Sequence, residues 1–192
     1  MKFVILCPNK CGSKSLAVRL DRCESVTCVH EHDMKMRGSH AWIAERVDKV
    51  VDRIKGSEEN YGEACFYHLW YLEVLMARLP ELRVICLRRD EEEWMRSFMH
   101  MLRGSDPFTK HSAQNKGMYP RYTGNSVEDK AHLFYEMYYT KIDALDRLTG
   151  RILQVPMYDL NSIDGLRGIY DFLKIPEQVR VYSQIHENKS SY

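Results

Sequence analysis

Residues 3–15 read FVILCPNKCGSKS, the most informative segment of the chain for its fold. The apolar run Phe3–Cys7 ends at Pro8 and is typical of a strand that is buried on both faces of a sheet. A helix is predicted from Ser13 to Leu20, with Ser13 as its N-cap. Between the two elements Gly12 allows the backbone to turn tightly. The sequence therefore predicts a strand–loop–helix unit at the start of the chain.

The loop of this unit is a candidate anion site. The N-terminus of the helix offers backbone N–H groups and the positive end of the helix dipole. Lys10 and Lys14 add positive charge, and Ser13 and Ser15 add hydroxyl groups. Residues 1–22 hold five Lys and Arg residues and one acid, a local charge of +4. These features suit a phosphate or sulfate group, and a solvated turn without a ligand is the alternative.

The loop is not a standard Walker A motif, which requires the pattern G-x-x-x-x-G-K-[ST]. Here Gly12 is followed by Ser13, and Cys7 stands where the first glycine would be. A variant nucleotide-kinase loop is an alternative interpretation, because residues 10–15 carry similar chemical groups.

Composition narrows the class of protein. The chain has 192 residues, a net charge of +1, 44% apolar and 29% charged residues, which is typical of a single soluble globular domain. No run approaches the about 20 apolar residues of a membrane span, and the first apolar run is too short for a signal peptide. The near-zero charge argues against a dedicated nucleic-acid binder. We therefore expect a cytoplasmic protein with neither a membrane nor a nucleic acid as partner.

The six cysteines form no C-x-x-C pair, which favours reduced thiols over a disulfide framework. A zinc site built from Cys23, Cys28, His30 and His32 is conceivable, but these spacings fit no common structural zinc pattern. We expect no metal.

Strands and helices alternate along the chain, which predicts an α/β fold with a central parallel sheet and right-handed crossovers. Ligands of such sheets bind beyond the carboxyl ends of the strands. The long polar segment 104–125 is predicted to be a lid or acceptor-binding loop. The predicted strands are 3–7, 26–29, 83–87 and 152–155, and the predicted helices are 13–20, 42–54, 65–79, 91–103, 127–148 and 163–173.

A second anion-binding segment follows the third predicted strand. This strand ends in Leu87-Arg88-Arg89-Asp90, and Ser97 lies eight residues after Arg89 in the next helix. An arginine at the mouth of a strand and a hydroxyl two turns into the following helix can face one anionic group. The alternative is that Arg88, Arg89 and Arg96 form surface salt bridges, which contribute little.

Together, the two segments resemble the PAPS-dependent sulfotransferase family. Its members carry a P-K-S-G-T-T or R-S-G-T-T loop and a strand that ends in R-[DN]-P, with a serine eight residues after the arginine. Residues 10–14 resemble the first motif and residues 87–98 the second, with Cys11, Lys14 and Glu91 as departures. Residues 155–160, 171–176 and 186–190 resemble later family segments. The resemblance thus runs over most of the chain and implies a three-layer sandwich with P-loop-like topology over residues 1–192.

The resemblance implies a site for the nucleotide PAPS and no metal. Lys10 would neutralise the oxygen that bridges the sulfuryl and phosphoryl groups. Arg89 and Ser97 would hold the 3′-phosphate, and Lys189 in the late loop would complete that site. The residues that would hold the 5′-phosphosulfate are Lys10, Cys11, Gly12, Ser13, Lys14 and Ser15.

The general base is expected after the second strand. Glu31 is our choice, because its position resembles that of the catalytic glutamate in some carbohydrate sulfotransferases, and His32 and His30 are the alternatives. Lys10 and the helix N-terminus are expected to hold the pKa of Glu31 low. Strand alternation places Glu31 on the side opposite both histidines if the strand continues that far.

These features predict transfer of a sulfuryl group from PAPS to a hydroxyl or amine of a small-molecule or carbohydrate acceptor. A small nucleotide kinase is one alternative, with Asp90 as the carboxylate that would bind Mg²⁺. A family member that binds a nucleotide without turnover is the other.

Overall fold

The fold is built around a parallel sheet. This computed structural model describes residues 1–31, 40–57, 60–108, 119 and 122–183, with only the backbone for 40–46. In this described part five parallel strands form one sheet in the order β2-β3-β1-β4-β5. The strands are β1 (Lys2–Leu6), β2 (Thr27–His30), β3 (Tyr61–Ala64), β4 (Arg83–Arg88) and β5 (Ile152–Pro156).

Helices cover both faces of the sheet. The chain runs from β1 outward to β2 and then back across the sheet, so right-handed crossovers place the first helix on one face and the next four on the other. The helices are α1 (Ser13–Asp21), α2 (His40–Gly56), α3 (Leu72–Arg78), α4 (Glu91–Leu102), α5 (Val127–Thr149) and α6 (Ile163–Phe172). Short 3₁₀ turns occupy Phe66–Tyr71, Met157–Asn161 and Glu177–Val179.

Side-chain contacts agree with these layers. Arg19 of α1 donates to the Leu160 carbonyl at 2.5 Å. Helix α1 and the Met157–Asn161 turn that precedes α6 therefore lie on the same face of the sheet. On the other face Lys141 of α5 lies 3.0 Å from Glu73 of α3. The α/β fold with a central parallel sheet in three layers is therefore confirmed.

Strand β3 (Tyr61–Ala64) was absent from the predicted strands. The segment YGEA is not an apolar run, yet all four residues are buried between β2 and β1. Gly62 is required there, because a Cβ atom would lie 2.1 Å from the ring of Phe3. The polar residue of the strand, Glu63, is accepted in the core because neighbouring side chains neutralise and hydrogen-bond it.

Those neighbours form a buried polar network, the Glu63 network, made of Glu63, Arg53, His68, Tyr61 and Tyr71. Arg53 on α2 donates to both carboxylate oxygens of Glu63, at 2.5 and 2.8 Å. The Tyr61 hydroxyl donates to the carboxylate at 3.0 Å, and His68 Nε2 lies 3.2 Å from it. His68 Nδ1 in turn lies 2.7 Å from the Tyr71 hydroxyl. The carboxylate is therefore held from several sides.

Helix α1 begins at Ser13, as predicted, but its N-cap is a different residue. Gly12, not Ser13, is the N-cap, and its φ of +84° lies in the left-handed region. Ser13 is the first helical residue, so its hydroxyl does not cap the helix. A Cβ atom on Gly12 would lie 3.1 Å from Leu160 Cδ1. Both the backbone angle and the close contact therefore favour glycine here.

The sequence predicts reduced thiols without a metal and no membrane span, and the described residues allow both expectations to be examined. All six cysteines lie in the described part, where each is buried and none is in a disulfide. Among the described residues no three His, Cys, Asp or Glu side chains cluster as metal ligands, and His32 of the conceived zinc site lies outside them. None of the described helices is long and apolar enough to cross a membrane.

Candidate active site

The loop after β1 lies at the middle of the carboxyl edge, because β1 is the central strand of the sheet. This phosphate loop, residues 7–12, turns through left-handed backbone at Lys10 (φ +71°) and Gly12 (φ +84°). The first helical hydrogen bond of α1 runs from the Leu16 N–H to the Gly12 carbonyl at 3.1 Å. The backbone N–H groups of the residues before Leu16 therefore lie ahead of the first hydrogen bond within the helix. Lys10 is exposed at the top of the loop, an arrangement typical of anion sites.

The β4–α4 unit holds the phosphate loop in shape. Arg89, between β4 and α4, donates from Nη1 to the Lys10 carbonyl at 2.8 Å. Trp94 on α4 donates from Nε1 to the Asn9 carbonyl at 2.8 Å. The Asn9 amide donates to the Tyr119 hydroxyl at 2.6 Å. The structure thus brings together the two segments that the sequence singled out, although they lie far apart in the chain.

The two neighbouring arginines have different roles. Arg88 pairs with Asp143 on α5 at 2.7 Å and lies over the Tyr139 ring, 4.7 Å from its centroid. Arg89 instead faces the phosphate loop, and its side chain is only 16% exposed. Its Nε atom is buried and makes no hydrogen bond with any described residue, since the Glu93 carboxylate is 3.6 Å away. Both arginines therefore form ion pairs, and among the described residues the Nε of each is buried without a hydrogen bond. Arg89 differs from Arg88 in that it contacts the phosphate loop.

Ser97 lies two turns into α4, on the face that also carries Trp94 and Phe98. It is only 6% exposed, although it is polar. Its contact with a phosphate that Arg89 also binds stays a prediction.

The second strand brings two candidate bases to the loop. His30 ends β2, and its Nε2 lies 3.3 Å from Ser13 Oγ at the start of α1. Glu31 follows, with its N–H donating to the Ala64 carbonyl at 2.9 Å and one carboxylate oxygen 3.9 Å from His30 Nδ1. The expectation that Glu31 and His30 face opposite sides required the strand to continue through Glu31, and this condition is not met. The strand ends at His30, and the φ of +52° at Glu31 breaks the alternation.

The protonation of this pair differs from expectation. Burial raises the pKa of Glu31, so the predicted lowering by nearby cations is wrong. Lys10 is exposed, and water screens its charge, so the loss of hydration dominates. Burial lowers the pKa of His30, and the charge of Lys14 lowers it further. His30 is therefore neutral at pH 7, whereas Glu31 is a stronger base than an ordinary carboxylate.

Some predicted site residues lie outside the described residues, namely His32, Lys189 and most of the 104–125 segment. The described parts of that segment pack against the domain. Asp106 pairs with Lys130 of α5 at 2.6 Å. The rings of Phe108 and Tyr119 are buried, with centroids 5.5 Å apart. The function of the segment as a lid stays a prediction.

Sequence reasoning missed the contacts that hold the loop. Trp94 lies among the buried apolar residues of α4, yet its indole N–H donates to the Asn9 carbonyl. Tyr135 and Tyr139 on α5 donate to the carbonyls of Arg89 and Leu87 at 2.7 and 3.0 Å. The sequence signal was the excess of tyrosine in that helix, since a buried tyrosine needs a hydrogen-bond partner.

A parallel sheet with a glycine-turned loop between its central strand and the next helix defines the P-loop-like α/β class. The family profile described as "Sulfotransferase domain" matches residues 2–151. The chain belongs to the sulfotransferase family, whose activity is the transfer of sulfuryl groups. No curated protein matches it in sequence.

Two solved structures show the same fold. A sulfotransferase from Alicyclobacillus acidocaldarius superposes with a TM-score of 0.59 at 17% identity, over 96% of this chain and 85% of that one. The YorR protein of Bacillus subtilis, in complex with phosphorylated GDP, superposes with a TM-score of 0.56 at 12% identity, over 91% of this chain and 95% of that one. At these identities the likeness concerns the fold.

Proposed function

We propose that the protein transfers a sulfuryl group from PAPS to a hydroxyl or amine of a small-molecule or carbohydrate acceptor. One observation carries the choice of donor: Arg89, from the second predicted anion segment, lies against the phosphate loop, where its guanidinium donates to the Lys10 carbonyl at 2.8 Å and its side chain is only 16% exposed. A guanidinium in this place can make charge-assisted hydrogen bonds to an anion beside the loop. Two anion sites side by side suit a nucleotide with phosphates at both the 5′ and 3′ positions.

The residues present fit the chemistry that such a donor needs. The donor nucleotide would supply the sulfuryl group and a phosphate leaving group. Lys10 and the N-terminus of α1 would stabilise the negative charge that develops on that leaving group. Glu31 would accept the proton of the acceptor, and His30 lies beside it as the alternative base. Positioning and charge stabilisation therefore account for the mechanism, as they do in phosphoryl transfer.

The geometry of the site does not favour the alternative that the protein is a kinase. The carboxylate of Asp90, its expected magnesium ligand, caps α4 by accepting from the Glu93 N–H at 3.1 Å. Because this carboxylate already serves the helix, we do not propose a kinase.

The first test concerns the second phosphate. We expect adenosine 3′,5′-bisphosphate to bind more tightly than AMP, and Arg89→Ala to remove most of that preference. The expected loss is about 10- to 100-fold in affinity, the contribution of one charge-assisted hydrogen bond. Calorimetric titration of both nucleotides measures it. Arg88→Ala is the matched control and keeps the preference, because Arg88 pairs with Asp143. Equal affinity of the wild type for both nucleotides contradicts the proposal.

The second test concerns turnover. We expect Lys10→Ala to lower turnover by about 10²- to 10³-fold, as the loss of one transition-state donor does, while adenosine 3′,5′-bisphosphate binding changes less. Sulfuryl transfer from PAPS to a panel of acceptors and nucleotide titration measure the two effects separately.

Lys10→Gly is the control for backbone strain in Lys10→Ala. It also removes the charge, but glycine readily adopts the φ of +71°. Equal losses in both variants assign the effect to the charge. If Lys14→Ala abolishes turnover and Lys10→Ala does not, the alignment of the loop is wrong. A wild type that binds the nucleotide but transfers nothing supports the non-catalytic alternative.

A further inference from the structure

One polar residue of the phosphate loop, Asn9, directly precedes Lys10 and is held from two sides. Its side-chain amide donates to the Tyr119 hydroxyl at 2.6 Å, and its backbone carbonyl accepts from the Trp94 indole at 2.8 Å. The carbonyl of the next residue, Lys10, accepts from Arg89 at 2.8 Å. Both the main chain and the side chain of Asn9 are therefore fixed, so its amide is preorganised.

The Tyr119 hydroxyl is a rigid support for this amide. Tyr119 is only 6% exposed. Its ring packs among four phenylalanine rings with centroid distances of 5.2–5.9 Å, those of Phe66, Phe98, Phe108 and Phe134. Burial raises the pKa of Tyr119, so the hydroxyl is neutral at pH 7. Because a buried tyrosine hydroxyl needs a hydrogen-bond partner, the contact with Asn9 stabilises both side chains.

The Asn9 amide has hydrogen-bonding capacity left for a ligand. A primary amide nitrogen carries two N–H groups, and within the described part of the chain the contact with Tyr119 is the only hydrogen bond of the Asn9 side chain. Asn9 is half-buried and precedes the exposed Lys10, so a ligand that binds the loop can reach it. The second N–H is therefore available to an anionic group that Lys10 also contacts.

The amide and the candidate base lie at neighbouring strand ends. Phe66, whose ring contacts Tyr119, follows β3 by two residues. Glu31, directly after β2, donates its N–H to the carbonyl of Ala64, the last residue of β3, at 2.9 Å. Strand β3 lies between β2 and β1. A sulfuryl group that leaves the phosphate loop after β1 for an acceptor beside Glu31 would therefore start its transfer next to Asn9.

We propose that Asn9 is a catalytic residue whose second amide N–H donates to a sulfuryl oxygen during transfer, with Tyr119 as the positioning residue that orients it, an inference that rests on the proposed function. In the transfer the acceptor atom bonds to sulfur, the bond from sulfur to the bridging oxygen breaks, Glu31 takes the proton of the acceptor and adenosine 3′,5′-bisphosphate leaves. A fixed donor stabilises charge on the sulfuryl oxygens without reorganisation. Lys10 acts on the bridging oxygen, so the two side chains serve different atoms.

Nucleotide binding without an acceptor tests the contact with the sulfuryl group. The affinities for PAPS and for adenosine 3′,5′-bisphosphate, which lacks that group, are measured by calorimetric titration of the wild type and of Asn9→Ala. We expect Asn9→Ala to weaken PAPS binding by about 10-fold, the contribution of one hydrogen bond to a charged group, and to leave adenosine 3′,5′-bisphosphate binding nearly unchanged. Equal effects on the two nucleotides, or no effect on either, would overturn the inference.

Turnover of single and double variants tests the two roles. Asn9→Ala is expected to lower turnover by about 10²- to 10³-fold, as the loss of one transition-state donor does. Tyr119→Phe keeps the ring and removes only the hydroxyl, so we expect a smaller loss of about 10-fold. In the Asn9→Ala background Tyr119→Phe should cost nothing further, because it acts through Asn9. Additive losses would overturn the positioning role. If Asn9→Ala does not fold, the comparison of the two nucleotides on Tyr119→Phe decides.

Tyr138→Phe is the matched control. Tyr138 is fully buried and its ring also contacts Phe134, with centroids 5.9 Å apart, but its hydroxyl donates to the Phe66 carbonyl at 3.4 Å rather than to the loop. We expect it to keep the turnover and the nucleotide affinities of the wild type. A wild type that binds neither nucleotide overturns the proposed function and this inference together. A wild type that binds and transfers, with Asn9→Ala equal to it, overturns the inference alone.

Discussion

Glu31→Gln is expected to lower sulfuryl transfer by about 10²- to 10⁴-fold, the usual cost of removing a general base. Glutamine keeps the shape of the side chain and its place beside the phosphate loop, so nucleotide affinity should change little. Turnover and nucleotide binding are measured separately on the same preparation. The burial that raises the pKa of Glu31 makes this carboxylate a better proton acceptor than an exposed one.

His30→Gln is the matched control for this prediction. His30 contacts Ser13 Oγ at 3.3 Å, so its loss should affect the position of the loop more than proton transfer. If Glu31→Gln keeps near-normal turnover while His30→Gln loses it, the role of base passes to His30.

The pH dependence follows from the sign of the pKa shift. A base acts when it is deprotonated, so turnover should rise with pH through a midpoint above 4.5, the ordinary value for Glu31. For His30 the corresponding midpoint would lie below 6.5, because burial lowers its pKa. The two ranges approach each other, so the profile of the wild type does not distinguish the two bases. The profile of Glu31→Gln does distinguish them: if Glu31 is the base, the fall in turnover at acidic pH is lost in this variant.

Arg53→Met is expected to destabilise the fold by about 3–5 kcal/mol, because it leaves a buried carboxylate without its partner. Glu63 is only 3% exposed, and Arg53 holds both of its oxygens. A loss of this size is a large part of the stability of an ordinary domain, about 5–15 kcal/mol. Urea unfolding followed by circular dichroism measures it at pH 7.

An exposed ion pair provides the control for Arg53→Met. Arg78 on α3 pairs with Asp48 on α2, and their side chains are 39% and 63% exposed. Arg78→Met should therefore cost less than about 1 kcal/mol. A cost for Arg53→Met as small as that for Arg78→Met would show that the Glu63 network does not support the core.

The difference in the free energy of unfolding between the wild type and Arg53→Met should become smaller as the pH falls. Burial raises the pKa of Glu63, but the hydrogen bonds and charges of Arg53 and His68 outweigh it and hold the pKa at about 2. Because the folded pKa lies below the unfolded one, the network stabilises the fold fully above about pH 4.5 and ceases to do so as the pH falls toward 2. The shift corresponds to about 3 kcal/mol. Unfolding of both proteins from pH 7 down to pH 3 checks this.

The fold class and the two halves of the candidate site follow from local sequence patterns. The run Phe3–Cys7, the turn at Gly12 and the segment Leu87–Asp90 are local patterns, and each predicts its element without knowledge of the rest of the chain. Their order and spacing carried the resemblance to sulfotransferases. The helix predicted at 91–103 agrees closely with α4, because its acidic first turn and apolar face lie within one stretch of sequence.

Tertiary structure alone decided what depends on residues far apart in the chain. Strand β3 is buried because Phe3 takes the space beside Gly62 and Arg53 neutralises Glu63, and neither partner is visible in the local sequence YGEA. The choice of Arg89 over Arg88 rests on a contact across 79 residues. The raised pKa of Glu31 reflects burial, which composition does not reveal. Local propensity selects the elements, whereas burial and long-range partners select which side chains face the site and in which protonation state.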